Sequence, residues 1–196
     1  MKIQKNTYDY QLSVAVANDL VALARRRCIE KNDDIRDNNP EYHKKPIPGF
    51  FLMDVKERAF PHFVGLCMEW LYHLISGQPF DRRIFKDKGD KIDFDRVEIK
   101  CTAVYDGMNT PEEDRTMLIK IDDYRRIDKR PDYYVFGRVR FPELIVKISG
   151  AVSFTTFSSN KYVCRYPGVT DAYTIDNKYL QTKIPVYNNG WVIFNF

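Results

Sequence analysis

Three residues in one short stretch have the types and spacing for phosphate chemistry: Asp93, Glu98 and Lys100, within residues 89–102, GDKIDFDRVEIKCT. Val97-Glu98-Ile99-Lys100 reads as a strand, and side chains alternate faces along a strand. Glu98 and Lys100 therefore share one face, and Val97 and Ile99 take the other. A tight turn at Asp95-Arg96 would pair Phe94 with Val97 and bring Asp93 opposite Glu98, with Cβ atoms about 5 Å apart. Two carboxylates that close repel unless a cation lies between them. Asp-Arg is weak chemistry for a two-residue hairpin, and a longer loop would let Asp90 supply the upstream carboxylate instead. Two hard oxygen donors suit Mg²⁺ or Mn²⁺, with water completing the shell. Such an ion polarises a phosphoryl oxygen and lowers the pKa of a bound water. Lys100 would orient that water or stabilise charge building on the phosphate. The set therefore points to metal-assisted hydrolysis of a phosphodiester. A short string in a chain that is 30% charged also reads as a solvated strand face.

The elements that must position these residues follow from periodicity. Leu12, Val16, Leu20, Leu23 and Ala24 recur at helical spacing and predict a helix over residues 10–31. Phe63, Leu66, Trp70, Leu71, Leu74 and Ile75 predict a second over residues 62–76, with Pro61 in its first turn and Gly77 at its end. Strands are expected at 92–94, 97–104, 117–121, 133–140 and 144–149. A short helical or loop region should cover 153–162, and an apolar strand-like run closes the chain at 190–196. Helices first and a meander of strands after them argue for an α/β fold, a mixed sheet flanked by helices. We expect one domain over 1–196, with a helical and loop-rich N-terminal extension, 1–60, leading into a core, 61–196.

Composition sets the outer bounds. The chain has 196 residues, 44% of them hydrophobic, and 13 each of Tyr and Phe, enough for a real core. The net charge of +4 permits a polyanionic partner without requiring one. Cys28, Cys67, Cys101 and Cys164 form no CxxC pair and, with His43, His62 and His73, no zinc spacing. They read as reduced core residues. With no signal peptide pattern and no long apolar run, a cytoplasmic protein away from the membrane is expected, in the host cytoplasm if the chain is viral. G-x-S-x-G, Walker A and HExxH motifs are absent.

The order of parts carries a resemblance. Gly65-x-x-x-Glu69 lies on the second helix, Gly89-Asp90-x-x-Asp93-Phe94 follows, and the motif strand ends Glu98-x-Lys100-x-Thr102. This looks like the PD-(D/E)XK nuclease superfamily, and more closely its small phage-type and prokaryotic members. The likeness spans roughly residues 63–187, with 10–37 a looser match to the leading helix. It implies a restriction-endonuclease-like fold and a Mg²⁺-dependent DNA endonuclease. By the same resemblance Asp93, Glu98 and Lys100 would be catalytic. Glu69, Asp93, Glu98 and the carbonyl of Ile99 would hold the metal. The gap from Asp93 to Glu98 is shorter than usual in that family, so Asp90 stands as the alternative ligand. A homodimer would fit such an enzyme, since two sites are needed to cut both strands.

Basic residues flank the motif. Arg82, Arg83, Lys86 and Lys88 would bind DNA phosphates, as would Arg125, Arg126, Lys129 and Arg130 and the run Arg25-Arg26-Arg27. Each group also reads as a solvated face. The rival to a nuclease is a non-catalytic nucleic-acid-binding or adaptor protein on the same fold. A structural protein whose strand charges are only surface is the third reading.

Overall fold

The computed structural model describes residues 9–30, 59–82, 93–94, 96–105, 118–125, 130–164, 171–188 and 191–195. Its centre is a four-stranded mixed sheet, in the order β1 (Asp9–Gln11), β5 (Ile145–Ser153), β4 (Tyr133–Phe141) and β2 (Val97–Tyr105). β2 runs parallel to β4, from Val97 beside Tyr133 to Tyr105 beside Phe141, while β5 is antiparallel to β4 and to β1. The expected meander therefore fails at its first step. A parallel pair needs a crossover, and the chain between β2 and β4 includes β3 (Ile119–Lys120) and a short helix, α3 (Ile121–Arg125). The strand expected over 117–121 shrinks to two residues before the chain turns helical.

Two helices cover one face. In α1 (Val14–Glu30), Ser13 Oγ accepts the Val16 N–H at 3.3 Å, satisfying an orphan donor of the first turn. Leu20, Leu23, Ala24 and Arg27 then line one buried stripe. In α2 (Phe60–Ser76), Pro61 opens the helix and Gly77 closes it at φ 69°, its N–H returning to the His73 carbonyl. Phe63, Leu66, Cys67, Met68 and Tyr72 are wholly buried, and each large apolar side chain so removed from water contributes about 1.5–3 kcal/mol. They pack on Val97, Ile99, Val135, Val139, Phe141, Val146 and Ile148 of the sheet. β1 and α1, from the part expected as an extension, belong to this same core.

Close approach of α2 to the sheet depends on Gly137. A Cβ there would lie 2.2 Å from Met68 Sδ and 2.8 Å from the Lys147 carbonyl oxygen. β5 carries an extra residue at this level, where the register shifts between Phe136 and Gly137.

The opposite face bears a second, smaller core: Ile119, Tyr134, Phe136, Val152, Phe157 and Ile175. It is roofed by α4 (Phe154–Asn160), capped by Ser153 Oγ on the Thr156 N–H, and by a small sheet ordered β3, β7 (Ala172–Thr174), β6 (Tyr162–Cys164). A hairpin of β8 (Ile184–Asn188) and β9 (Trp191–Asn195) completes the fold, tied to α2 where Tyr72 donates to the Pro185 carbonyl at 2.6 Å. The architecture is α/β, a mixed sheet flanked by helices. Among the described residues no helix is long and apolar enough to cross a membrane. The four cysteines are free thiols.

Candidate active site

Among the described residues β2 is an edge strand of the main sheet, and its outer edge is where the predicted residues meet. Phe94 and Val97 exchange backbone hydrogen bonds of 3.0 and 2.6 Å in an antiparallel bridge, the pairing expected from the sequence. Asp93 does not simply face Glu98. Its Oδ2 accepts the Ile99 N–H at 2.8 Å, capping a donor that the sheet edge would otherwise leave unpaired. N–H and C=O of one strand residue point to the same side, so the Ile99 carbonyl also faces this outer edge beside Asp93.

Glu98 and Lys100 point to the face opposite α1 and α2, and Lys100 Nζ lies 2.7 Å from Glu98 Oε1. The same ammonium is 3.7 Å from Asp123 Oδ2 on α3, a partner the sequence analysis missed. Lys100 and Glu98 side chains are 23% and 19% exposed. Burial alone would lower the Lys100 pKa, but Glu98, Asp93 and Asp123 outweigh it and hold the pKa above its usual value. Lys100 is therefore a fixed cation at neutral pH.

Glu69 reaches the cluster from the helix layer. Its side chain is 13% exposed, and Arg27 Nη1 stands 3.4 Å from Oε2. Arg27 Nη2 donates to the Asp81 carbonyl at 2.7 Å, so one buried guanidinium joins α1, α2 and the segment after α2. This corrects the reading of Arg27 as a phosphate contact. Its position on the apolar stripe, seven residues after Leu20 and three after Ala24, was the available signal. Desolvation raises the Glu69 pKa against the opposing pull of Arg27, with Asp81 and Glu98 adding to the rise. Asp93 is pushed well above the ordinary carboxylate value, first by desolvation and then by Glu98 and Glu69. The three acids thus feel one another across the strand edge, and that repulsion, added to burial, favours keeping the proton on Asp93.

Among the described residues no three His, Cys, Asp or Glu side chains are grouped to hold a metal ion. The donors that fit a hard cation are the Asp93 and Glu98 carboxylates and the Ile99 carbonyl. Glu69 joins them through charge while held by Arg27. Such an oxygen set, once Asp93 is deprotonated, suits Mg²⁺, which keeps several waters.

Of the basic residues expected to meet DNA, Arg82 places Nη2 2.6 Å from both carboxylate oxygens of Asp19 on α1. Arg25, Arg26, Arg125 and Arg130 are exposed, and Arg130 lies over the Phe154 ring at 5.4 Å. Arg83, Lys86, Lys88, Asp90, Arg126 and Lys129 lie outside the described residues. No protein-family model matches the chain, and no curated protein or solved structure matches it.

Proposed function

We propose that this protein is a metal-dependent DNA endonuclease of the PD-(D/E)XK kind, hydrolysing phosphodiester bonds at the outer edge of β2. The observation that carries this reading is the juxtaposition, at one strand edge, of Asp93 bonded to the Ile99 N–H and the Glu98–Lys100 pair. The restriction-endonuclease-like assignment rests on the Gly65 to Thr102 motifs, with the mixed sheet and its flanking helices compatible with it.

Asp93, Glu98 and the Ile99 carbonyl would hold Mg²⁺ or Mn²⁺, with Glu69 supporting them electrostatically. When bound, the ion supplies Lewis acidity toward the phosphate and a more acidic water. The chain's own groups do the rest. Lys100, charged and aimed by Glu98 and Asp123, donates toward the phosphate oxygens and stabilises the charge that builds on them. Its raised pKa suits a permanent cation and argues against a role in removing a proton. Asp93 must lose its proton for the site to accept a cation, so binding should release a proton and weaken in acid.

The test is incubation with supercoiled plasmid and with linear single-stranded DNA, in Mg²⁺, Mn²⁺ or EDTA, with Lys100→Ala alongside. Metal-dependent nicking, reduced at least 10²-fold in the variant as for loss of one electrostatic donor, is the expected result. Wild-type cleavage by Lys100→Ala would remove lysine from the mechanism. DNA bound but uncut in every metal would favour a non-catalytic nucleic-acid-binding or adaptor protein on the same fold.

A further inference from the structure

The sheet face that carries Glu98 and Lys100 holds a further polar group beside them. Tyr134 of β4 pairs in register with Glu98 of β2, one strand over at about 4.8 Å, and side chains so paired share a face. The Tyr134 ring belongs to the second core, with its centroid 5.2 Å from Phe157, 6.2 Å from Phe136 and 6.3 Å from Phe154. Only 3% of the residue stays exposed, so three aromatic neighbours fix where its ring points.

A buried tyrosine hydroxyl usually finds a hydrogen-bond partner. Tyr72, the other buried tyrosine among the described residues, has one in the Pro185 carbonyl at 2.6 Å. Tyr124 shares its hydroxyl with Ser158 at 3.0 Å. Among the described residues the Tyr134 hydroxyl makes no such bond, yet it is not one of the buried polar atoms left stranded. Its oxygen therefore keeps the little contact with solvent that the residue has. The charges acting on the phenol say where it emerges: Lys100, Glu98 and Asp123 all reach it, with Tyr124 beside them. Those two carboxylates are already engaged by the Lys100 ammonium, at 2.7 and 3.7 Å. The hydroxyl thus opens on the space that holds the lysine, with its own hydrogen unused.

A tyrosine has an ordinary pKa of about 10 and is a donor at neutral pH. A donor held by packing, with an apolar wall behind it, suits charge that builds on a neighbouring oxygen. We propose that the Tyr134 hydroxyl donates a hydrogen bond to a non-bridging oxygen of the phosphodiester held at Glu98 and Lys100, as a second donor beside the lysine. The phosphodiester rests on the nuclease reading; the unused donor rests on the packing of Tyr134. No proton is transferred in this role, and the phenol is unchanged by the reaction.

The experiment compares wild type, Tyr134→Phe, Tyr134→4-aminophenylalanine and Lys100→Ala in steady-state cleavage with Mg²⁺ or Mn²⁺, on whichever of plasmid and single strand the wild type cuts. Urea unfolding of each variant runs alongside. Tyr134→Phe should lower kcat about 10- to 100-fold, the range for one hydrogen bond to a charged group, with the urea midpoint unchanged. A bond made only in the transition state lowers kcat and kcat/KM equally, so KM should stay where it is. Tyr134→4-aminophenylalanine keeps an N–H donor at the same place and should recover most of the loss. Wild-type kcat in Tyr134→Phe would overturn the proposal, while cleavage lost in Lys100→Ala would leave the nuclease reading standing. A fall in kcat matched by a lower urea midpoint, or one that the amino variant does not recover, would also overturn it and leave Tyr134 as a packing residue of the second core. No cleavage by wild type in either metal would remove the nuclease reading, and this proposal with it.

Discussion

The two faces of the central sheet are built from the same strands and behave as opposites. On the helix side β2 and β4 present Val97, Ile99, Val135, Gly137 and Val139, sealed under α1 and α2. On the other side the alternate residues are Glu98, Lys100, Tyr134, Phe136, Arg138 and Arg140. There the apolar layer stops partway, and charged side chains occupy both of its ends. Period-two alternation lets one strand serve both roles without compromise. The difference teaches that the helix face specifies the fold, while the opposite face is free to carry polar chemistry. Substitutions on the first should cost stability, and on the second activity or binding.

The largest effect on stability should come where a charge intrudes on the helix side. Arg27→Met would leave Glu69 uncompensated at 13% exposure and should destabilise by about 3–5 kcal/mol, the usual result of breaking a buried pair. Urea unfolding measures it, and adding Glu69→Gln should recover part of the loss. Full stability in Arg27→Met would mean that the pair is solvated and that the helix layer is less closed than described.

Gly137→Ala comes next. Met68 can swing aside, but the Lys147 carbonyl at 2.8 Å from the new Cβ is backbone, so α2 or β5 must shift. A loss of about 1–3 kcal/mol is expected for such overpacking. Gly65→Ala is the control, since its Cβ would meet Glu69 Oε1 at an ordinary 3.9 Å. That variant should change stability by about 1 kcal/mol or less, in the stabilising direction set by helix propensity. Equal effects at the two glycines would contradict the close helix–sheet packing.

The smallest effect concerns the strand edge between the two faces. Asp93 has its folded pKa raised, so its contribution to stability is full below the unfolded value of about 3.9 and is lost as pH rises through the folded value. Asp93→Asn keeps an acceptor for the Ile99 N–H and removes the charge. In EDTA it should therefore melt higher than wild type at pH 7, by about 2–4 °C for each kcal/mol relieved. The gap should close near pH 4. Mg²⁺ should stabilise wild type more than the variant. A variant that melts lower at pH 7 would mean that Asp93 is stabilised as the anion without a metal.

Much of this was legible in the sequence because it is local. The helical repeats of Leu20, Leu23 and Ala24 and of Phe63, Leu66 and Trp70 placed α1 and α2 within a few residues of their observed bounds. Pro61 and Gly77 marked the ends of α2. The alternation at Val97 to Lys100 placed Glu98 and Lys100 on one face, and the bridge from Phe94 to Val97 formed as expected. Short strands with little periodicity, β1, β6, β7 and β8, escaped notice. The helical turn at Ile121–Arg125 was not anticipated, beyond a strand expected to end at Ile121, because five residues are too few for a helical period to declare itself.

What the sequence by itself determined was which residues lie on the apolar side of each element and which charged types cluster around one strand. Those properties depend on neighbours a few positions apart, and backbone geometry makes them periodic. Only the tertiary structure decided that β2 pairs in parallel with β4 and, among the described residues, ends the sheet. It also turned Arg27 inward to Glu69, brought Asp123 to Lys100, and gathered Asp9, Arg138, Arg140 and Lys147 around one groove. Each of these joins segments far apart along the chain. Their pairing is chosen by burial and charge across the whole core, which no local pattern encodes.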